Sequence, residues 1–289
     1  MTAKILLAQP LVDKIKNELR LRCEGLKSQG TTPSMCVVLV GENPASLTYI
    51  KNKKKICEEV GAHFQLLHLP AETSEQDFLE HLSRLNSDSK IHGIIIQLPV
   101  TDKLKKLDIP NLVAPSKDID GFHTANTKAI YYGTTDLNLL LPCTPKGVIH
   151  LLQFYGIDVK GKHIVVLGRS LIVGKPLAML LSNLDATVTL AHSKTKNLEE
   201  ITRTADILIS AIGIPHFIKT SALNSAKHTV VIDVGINSLN GKVTGDVDPD
   251  VIEVASAISP VPGGVGPMTV ISLIQNLMCA AENQLKGKK

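Results

Sequence analysis

The sequence is poor in features that mark several specialised classes of protein. Its 289 residues include no Trp, and aromatic side chains make up only 3% of the chain. No apolar run is long enough to cross a membrane, and the N-terminus lacks the cleavage-site pattern of a secretion signal. Apolar residues still account for 44%, which is enough for a buried core, and no low-complexity tract interrupts the chain. We therefore expect a soluble, cytoplasmic, globular protein.

The few cysteines and the mild net charge exclude further classes. The five cysteines form no C-x-x-C pair and are odd in number, which favours a reducing compartment over a disulfide framework. No Cys/His cluster has metal-ligand spacing, so we expect no metal. The net charge of +4 arises from 31 basic residues scattered among 27 acidic ones. This distribution argues against a dedicated nucleic-acid binder and leaves room for an anionic small molecule. The lack of a spanning apolar run argues against a membrane partner.

What the sequence does contain is a regular alternation of short apolar runs and amphipathic stretches. The apolar runs lie at 35–40, 64–69, 91–98, 163–168, 186–191, 206–212, 229–235 and 256–259. They are continuous rather than alternating, as expected for parallel strands that are covered on both faces. The pattern predicts an α/β fold of two domains with mainly parallel sheets. The first comprises residues 1–121 plus 267–289, the second residues 145–266, and the turn-rich residues 122–144 connect them.

The stretch IVVLGRSLIVGKP has the strand–glycine–helix order of a dinucleotide site. We predict that its strand ends at Gly168, which lets a phosphate approach the backbone, and that a helix begins near Val173. The glycine motif is irregular, because Ser170 replaces its second glycine and Gly174 comes one place late. Arg169 also stands in a loop that usually contains only small residues. By itself, the stretch equally fits a plain strand–turn–helix with a surface arginine.

The end of the following strand indicates which dinucleotide binds. A site that prefers NAD has Asp or Glu there, about 20 residues after the glycines, to bind the ribose hydroxyls. This chain has His192, Ser193, Lys194 and Thr195 instead, without a carboxylate. Donors and cations at this position favour a 2′-phosphate, which Arg169 is also able to reach. We therefore predict an NADP site.

A helix that begins near Asn43 carries a lysine on its apolar face. Asn43 is a suitable N-cap, Pro44 suits the first helical position, and Gly61 follows the last turn. The i, i+3, i+4, i+7 stripe of this helix comprises Tyr49, Ile50, Lys53, Ile56, Cys57 and Val60. Withdrawal from water disfavours a charged ammonium, so an inward-facing Lys53 becomes usable as an acid or base, with Tyr49 as its hydrogen-bond partner. The alternative is a lysine that snorkels at the rim of the stripe.

Polar groups at nearby segment ends favour a catalytic role for this lysine. The apolar strand GIIIQLP ends at Gln97, on the edge of a parallel sheet where ligands bind. The turn SKDIDGF then supplies Asp118 and Asp120. We expect Gln97 to hold Lys53 and one of the carboxylates to bind an amino-bearing heterocycle. For Asp118 a capping role within the turn is the simpler interpretation.

These motifs resemble those of one enzyme family over nearly the whole chain. In order, they are S-x-x-Y-x-x-x-K, the strand end at Gln97, KDIDG, PCTPKG, GRSLIVGKP, HSKT and PVPGGVGPMT. Together they are similar to the bifunctional methylenetetrahydrofolate dehydrogenase/methenyltetrahydrofolate cyclohydrolase family. The resemblance implies that the first predicted domain binds folate and carries the catalytic residues. It implies that the second is a Rossmann-like NADP-binding domain, with the active-site cleft between the two.

The resemblance implies two reactions, in which NADP oxidises 5,10-methylenetetrahydrofolate and water then hydrolyses the methenyl product to 10-formyltetrahydrofolate. It makes Lys53 the main catalytic residue, positioned by Gln97, with Tyr49 against the folate and Asp120 on the amino edge of the pterin. It adds Leu98, Pro262, Gly263 and Gly264 to the folate site. It assigns the cofactor site to Gly168, Arg169, Ser170, Val173, Gly174, His192, Ser193, Lys194, Thr195 and Ile236.

The resemblance further implies a homodimer that associates through the nucleotide-binding domains. One departure from the family pattern is Lys128, which stands where the pattern has glycine two residues after Asn126. The connection is therefore expected to run differently, and the roles of His123 and Asn126 stay open. The positive face with Lys51 and Lys54 either favours the glutamate tail of a polyglutamylated folate or is merely solvated.

Two other functions stay open at this point. The first is an NADP-dependent dehydrogenase of another small substrate, with Lys53 as the base on a hydroxyl or amine. The lysine helix before the nucleotide domain and the glycine-proline loop argue against it. The second is a non-catalytic binding protein that kept the fold, since a fold alone does not establish chemistry. An inward-facing lysine whose polar partners are present argues against such a loss of catalysis.

Overall fold

In the computed structural model, which describes residues 3–287, the chain folds into two compact units. The six-stranded unit consists of residues 3–12, 129–135 and 144–269. The three-stranded unit consists of residues 13–128, 136–143 and 270–287. Each unit is therefore built from separate segments of the chain, and helices α1 (Gln9–Ser28) and α8 (Val265–Lys286) contribute residues to both.

A parallel sheet forms the centre of the six-stranded unit. Its strands are β1 (Lys4–Ile5), β5 (His163–Leu167), β6 (Thr187–Ala191), β7 (Ile207–Ser210), β8 (Val230–Asp233) and β11 (Ala257–Ile258). Their order is β1-β11-β8-β7-β5-β6, and every neighbouring pair is parallel. The central strands β5, β7 and β8 are buried apart from the half-buried His163 and Val230, and Val165, Leu208 and Val231 are wholly inaccessible to water. The other elements of this part of the chain are α5 (Cys143–Phe154), α6 (Gly174–Asn183), α7 (Leu198–Thr202) and the hairpin β9 (Asn237–Leu239) and β10 (Lys242–Thr244).

The three-stranded unit contains a smaller parallel sheet of β2 (Ser34–Val40), β3 (His63–Leu69) and β4 (Gly93–Ile96), in the order β3-β2-β4. Helices α2 (Pro44–Glu59) and α3 (Glu75–Ser87) connect these strands. The core includes Val38 of β2 with Phe78 and Leu82 of α3, all essentially inaccessible to water. Arg22 of α1 bonds Glu282 of α8 through two contacts of 2.9 Å each. No helix within residues 3–287 is both long enough and apolar enough to cross a membrane.

The predicted fold class is confirmed, since each of the eight predicted strands is present within a few residues of its expected limits. Three details differ from the prediction. Residues 3–12 group with the six-stranded unit rather than with the lysine helix, because β1 pairs with β11. The predicted connection contains a helix, α4 (Thr124–Tyr131). The last segment predicted for the first domain starts at Pro267, but helix α8 already begins at Val265, because a proline in the first turn lacks only an amide that has no helical acceptor.

Candidate active site

Helix α2 begins and ends where the capping residues predict. Asn43 Oδ1 accepts a hydrogen bond from the backbone N–H of Ser46 at 3.1 Å, and Pro44 is the first helical residue. This cap satisfies one of the amides that the first turn leaves without a helical partner. The helix ends at Glu59, and Gly61 follows with a φ of +85°. Its length is thus fixed at both ends, and Lys53 lies near its middle.

The exposure of the side chains confirms the predicted division of α2 into two faces. The stripe is buried or half-buried at every position: Tyr49, Ile50, Lys53, Ile56, Cys57 and Val60. The other lysines of the run are exposed: Lys51, Lys54 and Lys55. Lys54 Nζ lies 3.8 Å from Glu58 Oε1, and Lys55 Nζ lies 4.0 Å from Glu59 Oε1. Such pairs are typical of opposite charges four residues apart on an exposed helix face. Lys53 therefore differs from its sequence neighbours in environment.

Lys53 contacts the predicted strand-end glutamine directly. Its Nζ donates a hydrogen bond to Gln97 Oε1 at 3.0 Å. Gln97 follows β4, and its backbone N–H donates to Val38 O at 2.9 Å, so the sheet fixes its backbone. The side-chain amide of Gln97 donates in turn to Leu98 O at 2.9 Å, which orients its carbonyl toward the lysine. The contact is thus present, whereas its part in catalysis stays a prediction.

Asp120 is the carboxylate that interacts electrostatically with Lys53. Burial raises the pKa of the half-buried Asp120 carboxyl to about 6, although the Lys53 charge opposes the shift. The Asp118 carboxylate nearby raises that pKa further. Burial also raises the pKa of the Tyr49 hydroxyl. The Asp120 carboxyl is therefore easier to protonate than an ordinary aspartate.

Asp118 serves the turn that leads to Asp120, as the simpler of its two interpretations predicted. It is buried and accepts hydrogen bonds from the backbone N–H groups of Gly121 at 3.1 Å and His123 at 2.8 Å. Asn126 Nδ2 adds a third bond at 2.9 Å. His123 and Asn126, whose roles the sequence left open, thus hold the turn in this structure.

Asn276 of α8 is an anchor that the sequence analysis missed. It is fully buried, and its Nδ2 donates to Ile119 O at 2.9 Å and to Leu141 O at 2.8 Å. Gly121 has a φ of +76°, and a Cβ on it would overlap the backbone of Leu141. The backbone on both sides of Asp120 is therefore fixed. The only signal in the sequence was an asparagine within an apolar stretch, 157 positions away from Ile119.

The predicted dinucleotide loop lies at the carboxyl end of β5. Gly168 adopts a φ of +109°, and a Cβ on it would overlap the carbonyl oxygen of Ala211, so only glycine fits. Ser170 Oγ accepts hydrogen bonds from the backbone N–H groups of Val173 at 3.2 Å and Gly174 at 3.3 Å. The serine that breaks the glycine motif therefore shapes the start of α6.

The HSKT turn follows β6, the neighbour of β5 in the sheet. Thr195 Oγ1 accepts a hydrogen bond from the backbone N–H of His192 at 2.9 Å, which closes the turn. The remaining predicted phosphate ligands are exposed: Arg169, Ser193 and Lys194. The backbone at Gly168 leaves no room for a Cβ, and the residues beside it supply cations and hydroxyls. The HSKT turn contains no carboxylate. These features together fit a phosphorylated dinucleotide.

Ile236 and the glycine-proline loop also belong to the six-stranded unit. Gly263 O accepts a hydrogen bond from Ala8 N at 2.9 Å. A Cβ on Gly266 would lie 3.8 Å from Ile236 Cδ1, so this loop and the exposed Ile236 are neighbours. The residues predicted for the folate site thus fall into two groups. Pro262, Gly263 and Gly264 lie in the six-stranded unit, and Tyr49, Lys53, Gln97, Leu98 and Asp120 lie in the three-stranded unit.

Comparison with known proteins decides the family. Residues 6–120 match the model of the tetrahydrofolate dehydrogenase/cyclohydrolase catalytic domain, and residues 142–285 match the NAD(P)-binding domain of the same family. The chain belongs to the tetrahydrofolate dehydrogenase/cyclohydrolase family. This result confirms the family predicted from the motifs and the presence of a domain that binds a nicotinamide dinucleotide.

Members of the tetrahydrofolate dehydrogenase/cyclohydrolase family match the chain from end to end. The bifunctional protein FolD of Halalkalibacterium halodurans is 47% identical, over 98% of this chain and 100% of the relative. The crystal structure of the bifunctional enzyme FolD from Campylobacter jejuni has a TM-score of 0.92 and 43% identity, over 97% of this chain and 99% of its own. The Trypanosoma brucei FolD, in complex with NADP cofactor and inhibitor, has a TM-score of 0.92 and 31% identity, over 99% of both chains.

Proposed function

We propose that this protein catalyses two consecutive reactions of folate one-carbon metabolism. It oxidises 5,10-methylenetetrahydrofolate to 5,10-methenyltetrahydrofolate with NADP, and it hydrolyses that product to 10-formyltetrahydrofolate. The observation that carries the proposal is the 3.0 Å bond from Lys53 Nζ to Gln97 Oε1 beside an ionisable Asp120. The bifunctional relatives and the two matching domain models support both activities.

The oxidation depends more on alignment than on proton transfer. A lone pair on a substrate nitrogen expels the hydride, which NADP accepts when bound. The chain's own part is to hold the folate, with Asp120 on the amino edge of the pterin and Tyr49 against the ring system. Gly168 leaves room for the phosphates of the dinucleotide, and the exposed Arg169 and Ser193 bind its 2′-phosphate. The lack of a carboxylate at 192–195 supports NADP over NAD.

The hydrolysis does require proton transfers. Water adds to the methenyl carbon, and one carbon–nitrogen bond then opens. Lys53 moves a proton at Nζ between the water and the departing nitrogen. Gln97 orients Nζ for this task, because its own backbone is bonded to Val38 and its amide to Leu98. One lysine held by one glutamine is thereby sufficient for the acid–base steps.

A spectrophotometric assay tests both reactions. Purified protein is mixed with 5,10-methylenetetrahydrofolate and either NADP or NAD, and afterwards with methenyltetrahydrofolate alone. We expect oxidation that depends on NADP and hydrolysis faster than in buffer. Hydrolysis without oxidation would contradict the dinucleotide site. Activity in neither assay would overturn the proposal and favour a dehydrogenase of another substrate or a protein without catalysis.

We further infer a homodimer that acts in the cytoplasm and supplies formyl groups for purine biosynthesis. The five cysteines are buried and unbridged, which supports a reducing compartment. Analytical ultracentrifugation tests the homodimer.

The exposed Lys51 and Lys54 support binding of polyglutamylated folates. A comparison of KM for folate substrates with one and with five glutamates tests the binding of the glutamate tail.

A further inference from the structure

Two aspartates that neither proposed reaction uses are buried at the carboxyl edge of the six-stranded sheet. Asp233 ends β8 and is 3% exposed, and Asp246 follows the β9–β10 hairpin and is 0% exposed. A carboxylate so far from water requires a full set of hydrogen-bond donors. The donors found here are backbone amides, a serine and an asparagine.

Asp246 fastens the loop that follows β7. Its Oδ2 accepts hydrogen bonds from Ser210 Oγ at 3.0 Å, Ile212 N at 2.8 Å and Gly213 N at 3.3 Å. Its Oδ1 accepts hydrogen bonds from Ile214 N at 3.0 Å and Asn237 Nδ2 at 3.0 Å. One carboxylate thus binds the whole turn of residues 210–214 and the first residue of the hairpin.

Asp233 extends the same network to two further segments. Its Oδ1 accepts hydrogen bonds from Gly235 N and Asp246 N, each at 3.0 Å, and its Oδ2 accepts one from Val247 N at 2.9 Å. Its backbone N–H donates to Ser259 Oγ at 2.8 Å, at the start of the glycine-proline loop. The pair therefore links the ends of β7, β8 and β11.

Two glycines lie directly against the carboxylates of the pair. A Cβ on Gly235 would overlap the carboxylate of Asp246, and a Cβ on Gly245 would overlap that of Asp233. Burial raises the pKa of Asp233 to about 6, and the amides of Val247 and Asp246 oppose the shift. The proposed reactions use neither carboxylate, so they do not explain why two carboxylates are buried here. The explanation lies in the backbone segments that the pair holds by hydrogen bonds.

The segments held by the pair are those that the proposed function assigns to cofactor and folate. Ala211 packs against Gly168, and its backbone N–H donates to Leu167 O at 2.8 Å. Ile236 lies between Gly235 and Asn237, both of which bond to the aspartates. The loop after Ser259 carries the glycines predicted to contact folate.

We propose that Asp246, supported by Asp233, is a positioning residue for hydride transfer. It keeps the dinucleotide loop, Ile236 and the glycine-proline loop in one fixed arrangement. This inference rests on the proposed function. It implies that a change at Asp246 affects hydride transfer selectively, because the Asp246 carboxylate bonds residues 210–214 and Asn237. The glycine-proline loop is instead bonded through the backbone N–H of Asp233 to Ser259 Oγ, and the acid–base pair of Lys53 and Gln97 lies within the three-stranded unit.

The test replaces one oxygen of the carboxylate. In Asp246→Asn the new NH₂ group replaces an acceptor and faces at least two hydrogen-bond donors, whichever way the amide is turned. It cannot accept from them, so part of the turn of residues 210–214 loses its hydrogen bonds. We expect the dehydrogenase kcat/KM for NADP to fall about 10- to 100-fold, as for a misplacement of reacting groups by about 1 Å. Cyclohydrolase activity, measured without NADP, stays within about two-fold of wild type on the same reasoning. The ratio of the two activities is the readout that a general loss of folding does not move.

Two further variants keep the test decisive if Asp246→Asn fails to fold. Asn237→Ala removes one donor beside Ile236 and is expected to reproduce the selective loss in weaker form. Thr229→Val is the matched control, because it removes a fully buried bond to Ala205 O at the opposite end of β8. It should leave both activities unchanged.

Equal effects of Asn237→Ala and Thr229→Val, or a parallel loss of both activities in a folded Asp246→Asn, would overturn the inference. So would an unchanged dehydrogenase in folded Asp246→Asn. Absence of dehydrogenase activity in the wild type would instead overturn the proposed function, so the two failures are distinguishable.

Discussion

The lysine site of the three-stranded unit and the dinucleotide loop of the six-stranded unit are held by different kinds of contact. The lysine site consists of side chains on regular elements, with Lys53 on α2 and Gln97 at the end of β4. The dinucleotide loop consists mainly of backbone, shaped by Gly168, which lies against Ala211 in the segment that Asp246 bonds. A side-chain site is lost by changing one functional group. A backbone site is lost by moving the loop.

That difference follows from what each site must bind. A proton transfer needs one group at one point, and a helix face bonded to a strand end provides it with few contacts. A dinucleotide is long and is bound through phosphates, for which a series of exposed N–H groups is suited. The backbone then needs internal acceptors to keep its shape. Asp233 and Asp246 provide them, and their carboxylates accept from backbone amides, Ser210 and Asn237.

The largest effect that would sharpen the comparison is expected for Lys53→Met. Cyclohydrolase activity should fall about 10²- to 10⁴-fold, because the group proposed to transfer the protons is removed. Lys55→Met is the matched control, since Lys55 is exposed, has no proposed role, and its Nζ lies 4.0 Å from Glu59 Oε1. Both rates are measured with methenyltetrahydrofolate alone. Near-normal hydrolysis in Lys53→Met would refute the acid–base role.

The next effect concerns the backbone of the three-stranded unit. Gly121→Ala should lower the free energy of unfolding by about 3 kcal/mol, because the new Cβ overlaps the Leu141 backbone at a positive φ. Gly133→Ala is the control, since Gly133 has a φ of +83° with nothing within 4 Å, and should cost about 1 kcal/mol. Urea unfolding measures both. Equal losses would mean that the contact with Leu141 contributes nothing.

A smaller effect tests the side chains that are proposed to bind the cofactor beside the dinucleotide loop. Changing Arg169 and Ser193 together to Ala should raise KM for NADP about 10- to 100-fold, since hydrogen bonds to a charged phosphate are lost. KM for NAD should change little, which makes NAD the internal control. Steady-state rates with each cofactor give the comparison, and equal rises for both would contradict binding of the 2′-phosphate.

The smallest effect is a dependence on pH. Because the pKa of Asp120 is raised from 3.8 to about 6, its carboxylate forms only above that pH rather than near pH 4. Folate binding that needs the carboxylate should therefore weaken as the pH falls through about 6, seen as a rise in KM for methylenetetrahydrofolate. Asp120→Asn should flatten this acid limb. An acid limb that persists unchanged in the variant would assign it to another group.

The sequence predicted the parts of each site whose determinants are local. The stripe on α2, its capping by Asn43 and the turn role of Asp118 all depend on residues a few positions apart, and the structure confirms them. Continuous apolar runs likewise predicted the parallel strands, because burial on both faces leaves that pattern.

The long-range anchors could not be predicted in the same way. Asn276 bonds carbonyls more than a hundred positions distant, and nothing in its neighbours indicates which ones. Asp246 depends on Ser210 and Ile212, which reach it only once the sheet has formed. Strand β1 escaped notice because two residues give no periodicity, although its pairing with β11 moves residues 3–12 into the six-stranded unit.

The interleaved course of the chain also sets when the protein is able to finish folding during synthesis. In the three-stranded unit Asn276 holds Ile119 and Glu282 holds Arg22, and both residues are synthesised after every strand of the two main sheets. The six-stranded unit needs residues up to 269. A nascent chain halted at residue 250 therefore lacks anchors for both halves, so neither half matures ahead of the other. A chain truncated there exposes apolar strands from both sheets to quality control.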